Sequence, residues 1–156
     1  MKKAVLSITC VLILSYSVIN AQSDVSILVN TTDRLTSINN GIISLTINSK
    51  GQVNSLIYKS KDLINANNKG RFYFSYNDQD NYRELSPNTV RIEKQTSYYA
   101  EVVYSNTTGT LKIEQAFIML KGVSGIYSYI IIKGTSTKIK LREMRVVYRV
   151  NPNLFN

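Results

Sequence analysis

Near the C-terminal end of the chain, five basic side chains fall close together: Lys138, Lys140, Arg142, Arg145 and Arg149. In an extended strand, residues two apart share a face. Lys138, Lys140 and Arg142 can therefore line one surface, and Arg145 with Arg149 another. A guanidinium grips a carboxylate through two parallel, charge-assisted hydrogen bonds, so such rows suit sugars that carry a carboxylate. The same charges on an edge strand also discourage strand-to-strand aggregation, and spacing alone favours this second reading. The chain has eleven tyrosines, of which Tyr73, Tyr76, Tyr98, Tyr99, Tyr127, Tyr129 and Tyr148 fall in or beside strand-like runs. Aromatic faces bind sugars, and they equally fill sheet cores and cross-strand pairs.

Other chemistries lack their residues. There is no histidine and no tryptophan, and the single cysteine, Cys10, lies in an apolar N-terminal run. Beyond that run nothing can form a disulfide, a thiolate zinc site, a cysteine nucleophile or a histidine-dependent triad. Gly122-Val123-Ser124-Gly125 lacks the spacing of a nucleophile elbow and reads as a tight turn. Asp78 and Asp80 are two apart in a stretch rich in Asn and Asp. Calcium takes about six to eight oxygens, so this pair reads as a turn, and neither metal nor cofactor is expected. Asn30-Thr31-Thr32 and Asn106-Thr107-Thr108 fit the short glycosylation sequon.

The elements that position these residues begin after an export signal. Lys2 and Lys3 precede an apolar run from Ala4 to Ile19 and a small residue, Ala21, which together read as a signal peptide over residues 1–21. Ser7, Thr9, Ser15 and Ser17 interrupt the run, which falls short of the ~20 apolar residues that cross a bilayer. The expectation is a secreted or periplasmic chain with no membrane span after cleavage. Loss of Lys2 and Lys3 takes the formal charge from +9 to +7. Export turns that charge away from nucleic acid and toward an anionic polysaccharide or membrane surface, with a merely solvated cationic surface as the alternative.

Residues 22–156 suffice for one domain and not for two. Strand-like runs rich in β-branched and aromatic residues occur at 25–29, 42–48, 53–58, 71–76, 90–95, 99–105, 111–119, 126–133 and 143–150. Helical periodicity is nearly missing, so the fold class is all-β, an antiparallel sandwich or barrel. In the clearest hairpin Ile43, Leu45 and Ile47 alternate with Ser44, Thr46 and Asn48, and Ser49-Lys50-Gly51 makes the turn. Residues 65–70 and 77–81 read as loops, and 106–109 as a turn. Asn151-Pro152-Asn153 opens a turn after the last strand-like run, and the sheet is expected to continue beyond Asn156.

Two segments carry a family resemblance. Phe117-Ile118-Met119-Leu120-Lys121-Gly122-Val123-Ser124-Gly125-Ile126-Tyr127-Ser128-Tyr129, followed by Met144-Arg145-Val146-Val147-Tyr148-Arg149-Val150, resembles the rhamnogalacturonan lyases of polysaccharide lyase family four. The hairpin that begins Asn40-Gly41-Ile42-Ile43 is similar to the start of the same catalytic domain, in the galactose-mutarotase-like class. The resemblance implies a partial β-supersandwich, the N-terminal portion of a catalytic domain that fibronectin-like and jelly-roll domains follow in the family. It implies a partner, rhamnogalacturonan, whose backbone relatives cleave by β-elimination with a lysine base and an assisting histidine. Neither catalytic residue has a counterpart here. One substrate-binding arginine of the family falls on Arg145, with Lys140 and Arg149 as neighbours. The expected function is a fragment of a secreted lyase, inactive alone. The alternatives are a non-catalytic module binding acidic polysaccharide and an exported β-domain with no carbohydrate role.

Overall fold

The computed structural model describes residues 25–30, 32–64, 70–78, 80–109, 111–134 and 138–155. The expected signal peptide at 1–21 and most of the expected loop at 65–70 lie outside them. The described residues form twelve strands and no helix: β1 (Ser26–Asn30), β2 (Leu35–Asn39), β3 (Ile43–Ile47), β4 (Val53–Tyr58), β5 (Lys61–Asp62), β6 (Arg71–Asp78), β7 (Asn81–Glu84), β8 (Thr89–Gln95), β9 (Tyr99–Asn106), β10 (Lys112–Leu120), β11 (Ile126–Lys133) and β12 (Leu141–Arg149). The first sheet runs β1-β2-β3-β4-β6-β12, with β5 on β4 and β7 on β6; the second runs β11-β10-β9-β8. All pairings are antiparallel, as the expected all-β sandwich requires.

Alternation places the core. In β3, Ile43, Leu45 and Ile47 are buried while Ser44 and Thr46 are only half-buried, the period-two pattern of a sheet with one apolar face. The turn after β3 closes through Gly51, whose φ of 70° falls in the left-handed region that glycine enters without strain. From the first sheet Ile38, Leu45, Ile47, Val53 and Phe74 meet Val102, Tyr104, Ile113, Phe117 and Met119 from the second. Two polar ties cross this core. The buried Tyr104 hydroxyl donates to Thr36 Oγ1 at 2.7 Å. The Asn40 side chain, fully buried, donates to the carbonyls of Leu120 and Val123 at 2.7 and 2.8 Å.

Every strand expected from the sequence is present, and β2, β5 and β7 are additions. The stretch 77–81 is not a loop: Asn77, Asp78 and Asn81 belong to the β6–β7 hairpin, because pairing with a neighbour outweighs the low strand preference of Asn and Asp.

The long return of β12 onto β6 sets up the rest. Arg149 lies opposite Arg71, Val147 opposite Tyr73 and Arg145 opposite Ser75, with a register shift between Leu141 and Met144. The core-side residues of β12 are incompletely covered, Met144 at 40 %, Val146 at 44 % and Tyr148 at 62 % exposure. Between them and β11 lies an apolar gap of about 200 Å³, lined by Phe72, Phe117, Ile126, Val146 and Tyr148 among others. Gln115 is buried beside it, and its Oε1 has no partner among the described residues.

Candidate functional site

Phe72, Phe74 and Tyr76 pack toward the core, so alternation turns Arg71, Tyr73 and Ser75 to the outer face of the first sheet. Direct cross-strand pairing brings Arg145, Val147 and Arg149 of β12 onto that face. From the other side of β6, Glu84 of β7 lies opposite Ser75. Gln52 precedes Val53, a core residue, and so faces outward beside Arg71.

These residues form one connected cluster. Arg71 Nη2 meets Glu84 Oε1 at 2.9 Å, and its Nη1 donates to Gln52 Oε1 at 3.3 Å. Gln52 Nε2 donates to Glu84 Oε2 at 2.7 Å, and the Tyr82 hydroxyl donates to Glu84 Oε1 at 2.7 Å. Loss of solvent around the hydroxyl, and after it the bond to Glu84, push Tyr82 up to about 12. The Tyr73 ring is buried under two guanidiniums, with Arg71 4.4 Å and Arg149 5.5 Å from its centroid. Two like charges directly opposite would repel. Glu84 offsets the charge of Arg71, and the negative face of Tyr73 favours both cations.

Glu143 sets Arg145 apart from Arg149 on β12. Arg145 Nε pairs with Glu143 Oε1 at 3.2 Å, both side chains nearly half-exposed, and its guanidinium lies 5.9 Å from the Tyr82 ring. Arg149 meets no carboxylate among the described residues and is exposed, resting on Tyr73. Its planar fork is held on one side by the ring and remains available to an anion on the other. Lys140 is exposed and precedes β12, in the irregular stretch 138–140. Arg142 turns to Asp80, Nε to Oδ1 at 2.6 Å, and Asp78 lies 3.6 Å from Arg83. Both carboxylates weighed as calcium ligands thus face guanidiniums. No three metal-ligating side chains gather among the described residues.

The structure joins Arg145 and Arg149 as their spacing predicts. It adds Gln52, Arg71, Tyr73, Tyr82 and Glu84, which sequence reasoning missed as site residues. They come from three different segments, and no local spacing links them. The nearest available signal was the alternation of Arg71, Tyr73 and Ser75 with Phe72, Phe74 and Tyr76.

Comparison with known proteins places the chain in a family. The model of the rhamnogalacturonate lyase family matches residues 15–156. The chain is similar to the rhamnogalacturonate lyase of Dickeya dadantii (strain 3937), 30 % identical over 102 residues that cover 64 % of this chain and 18 % of that protein. The chain thus matches less than a fifth of the length of this relative. No helix among the described residues is long and apolar enough to cross a membrane. With the family match running through all twelve strands, Arg145 and Arg149 included, the chain belongs to the rhamnogalacturonate lyase family.

Proposed function

We propose that the outer face of the first sheet binds galacturonate carboxylates of the rhamnogalacturonan backbone, as part of the catalytic domain of a secreted or periplasmic lyase. The observation that carries this is Arg149, exposed on the Tyr73 ring and unmatched by a carboxylate among the described residues, with Arg145 on the same face. The family match and the likeness to a rhamnogalacturonate lyase support the substrate class.

β-Elimination removes a proton from C5, the carbon bearing the carboxylate, and negative charge builds on that carboxylate as the proton leaves. A fixed guanidinium against the carboxylate stabilises the charge where it develops. Proton removal needs a base near neutral pH, and departure of the C4 oxygen needs an acid. The cluster around Tyr73 offers arginines, a glutamine, tyrosines and a glutamate already engaged by Arg71, Gln52 and Tyr82. Its role in the proposal is to hold and polarise substrate, and proton transfer falls to residues outside it. The half-exposed core side of β12 supports a place for further strands of the same catalytic domain, laid over Met144, Val146 and Tyr148.

A second reading, an acidic-polysaccharide module that binds without cleaving, is favoured for this polypeptide alone because it contains no histidine. One experiment addresses both. The isotope-labelled chain is titrated with rhamnogalacturonan oligosaccharides while ultraviolet absorbance follows any unsaturated uronate. The expected result is amide shifts concentrated on β6 and β12 with no rise in absorbance. Absorbance that rises overturns the binding-only reading, and shifts that avoid β6 and β12 overturn the proposed site.

A further inference from the structure

We propose that the outer face of the second sheet is a separate saccharide site, taking neutral pyranose rings on a platform of Tyr99, Tyr127 and Tyr129 around Glu101. It lies on the opposite side of the sandwich from Arg149 and does not depend on the reading above.

The platform follows from register. Ala100, Val102 and Tyr104 of β9 and Ile113, Phe117 and Met119 of β10 point to the core, so Glu101, Ala116 and Ile118 point outward. Tyr129 lies opposite Ala116, Tyr127 opposite Ile118, and Glu101 opposite Ile118 from the other side. The Tyr129 hydroxyl nevertheless donates to Glu101 Oε1 at 2.6 Å, two strands away. A ring standing upright on β11 would not reach. Tyr129 is laid across β10 over Ala116, which is fully buried. Tyr99 donates to Glu101 Oε2 at 2.6 Å along its own strand, so its ring also lies along the sheet.

Both rings are thereby fixed by one carboxylate that is only 8 % exposed, while Tyr129 is 39 % and Tyr127 54 % exposed. The hydrogen bonds to Glu101 push both Tyr99 and Tyr129 up to about 12, so the phenols remain neutral donors to the carboxylate. Rings held flat on a sheet offer apolar faces to the C–H side of a pyranose and lose little rotamer freedom when they do so. Tyrosine oxygens that donate to Glu101 keep lone pairs for sugar hydroxyls.

Charge selects the class of sugar. Arg91 is engaged by Glu93 at 2.7 Å and Glu114 at 3.6 Å, Lys133 lies 3.8 Å from Glu114, and Lys94 lies 5.4 Å from the Tyr99 centroid. These cations are thus already matched by a carboxylate or a ring, and Glu101 at the centre repels a uronate. The face suits neutral residues, in contrast to the guanidinium face of the first sheet.

The test is an amide-shift titration of the full chain with galactotetraose as neutral probe and trigalacturonate as acidic probe. The expected result is saturable shifts at Tyr99–Glu101, Ala116–Ile118 and Tyr127–Tyr129 with the neutral probe at millimolar concentration, and none there with the acidic one. Tyr127→Ala should weaken neutral binding roughly two- to tenfold, the range of one aromatic contact. Tyr129→Phe keeps the ring but releases it from Glu101, and should also weaken binding, whereas Arg149→Ala should leave it unchanged. Circular dichroism confirms that each variant is folded. Neutral-probe shifts that are missing, that survive Tyr127→Ala, or that follow self-association of the chain overturn the proposal.

Discussion

Asn40 ties the two sheets together, and replacing it with alanine tests whether that tie matters energetically. Its side chain makes four hydrogen bonds: Nδ2 to the carbonyls of Leu120 and Val123 at 2.7 and 2.8 Å, and Oδ1 from the amides of Ile42 and Ile43, both at 3.0 Å. The residue is fully buried, so Asn40→Ala removes four bonds and leaves two carbonyls and two amides without them. Each unsatisfied buried group costs about 1–3 kcal/mol. Gly41 and Gly122 are exposed beside the site, so solvent can reach some of the orphaned groups. Counting the equivalent of two groups at the middle of that range gives roughly 4 kcal/mol. At about 2–4 °C per kcal/mol for a chain of this length, the melting temperature should fall by roughly 8–16 °C. The assay is urea unfolding followed by circular dichroism, with thermal melts alongside. Asn40→Asp is the sharper control: it keeps the Oδ1 acceptor but sets a carboxylate against two carbonyl oxygens. Its deficit should shrink as pH falls and the carboxyl becomes a donor. A loss under about 1 kcal/mol for Asn40→Ala, no more than one ordinary hydrogen bond, would refute the account of how the sheets are joined.

Three further outcomes follow from the same geometry. Glu84→Gln keeps a hydrogen-bonding side chain but frees the Arg71 charge beside Arg149, so affinity for an oligogalacturonate should rise up to about tenfold with a steeper salt dependence; unchanged affinity across salt concentrations would count against charge offset by Glu84. Tyr99 and Tyr129 are raised to about 12 from 10.0 chiefly by hydrogen bonds to Glu101, so their stabilisation is complete below pH 10, where both folded and unfolded phenols are neutral. It should drain away between pH 10 and 12 as the unfolded chain ionises first, and Tyr129→Phe should flatten that slope in urea titrations; a stability flat through this window contradicts the bonds. Gly51→Ala puts a Cβ at φ 70°, 3.1 Å from Leu85 Cδ2 and 3.4 Å from Tyr104 Cβ, and should cost about 1–2 kcal/mol or more in urea unfolding, while a neutral result would show the turn can rearrange.

How much was legible in the sequence depended on how local each feature is. The β3–β4 hairpin could be read directly, because Ile43, Leu45 and Ile47 alternate with polar residues and Gly51 supplies the positive φ. β2 and β7 could not: Leu35–Asn39 and Asn81–Glu84 have weak strand preference, and each becomes a strand only by pairing with a stronger neighbour. The shared face of Arg145 and Arg149 follows from their spacing of four. The irregular stretch 138–140 was invisible, and it takes Lys138 and Lys140 out of the strand row with Arg142, which turns to Asp80. Gln52, Arg71 and Glu84 meet only because β4, β6 and β7 adjoin, so no motif could announce them. Tyr73 illustrates why single tyrosines were ambiguous. It is buried as packing and at the same time lies under two guanidiniums.

The most direct test of the central claim is a calorimetric titration of rhamnogalacturonan oligosaccharides, with galacturonate either free or methyl-esterified, into the wild-type chain and the Arg149→Ala and Arg145→Ala variants. A guanidinium–carboxylate contact is worth about 1.5–3 kcal/mol, so Arg149→Ala should weaken the free acid roughly 10- to 150-fold while barely changing the ester. Arg145→Ala should do less, since Glu143 already shares its charge, and Arg149→Lys should recover only part of the loss. If both alanine variants keep the wild-type preference for free acid over ester, the arginine face of the first sheet does not read the carboxylate and the proposed substrate site is wrong.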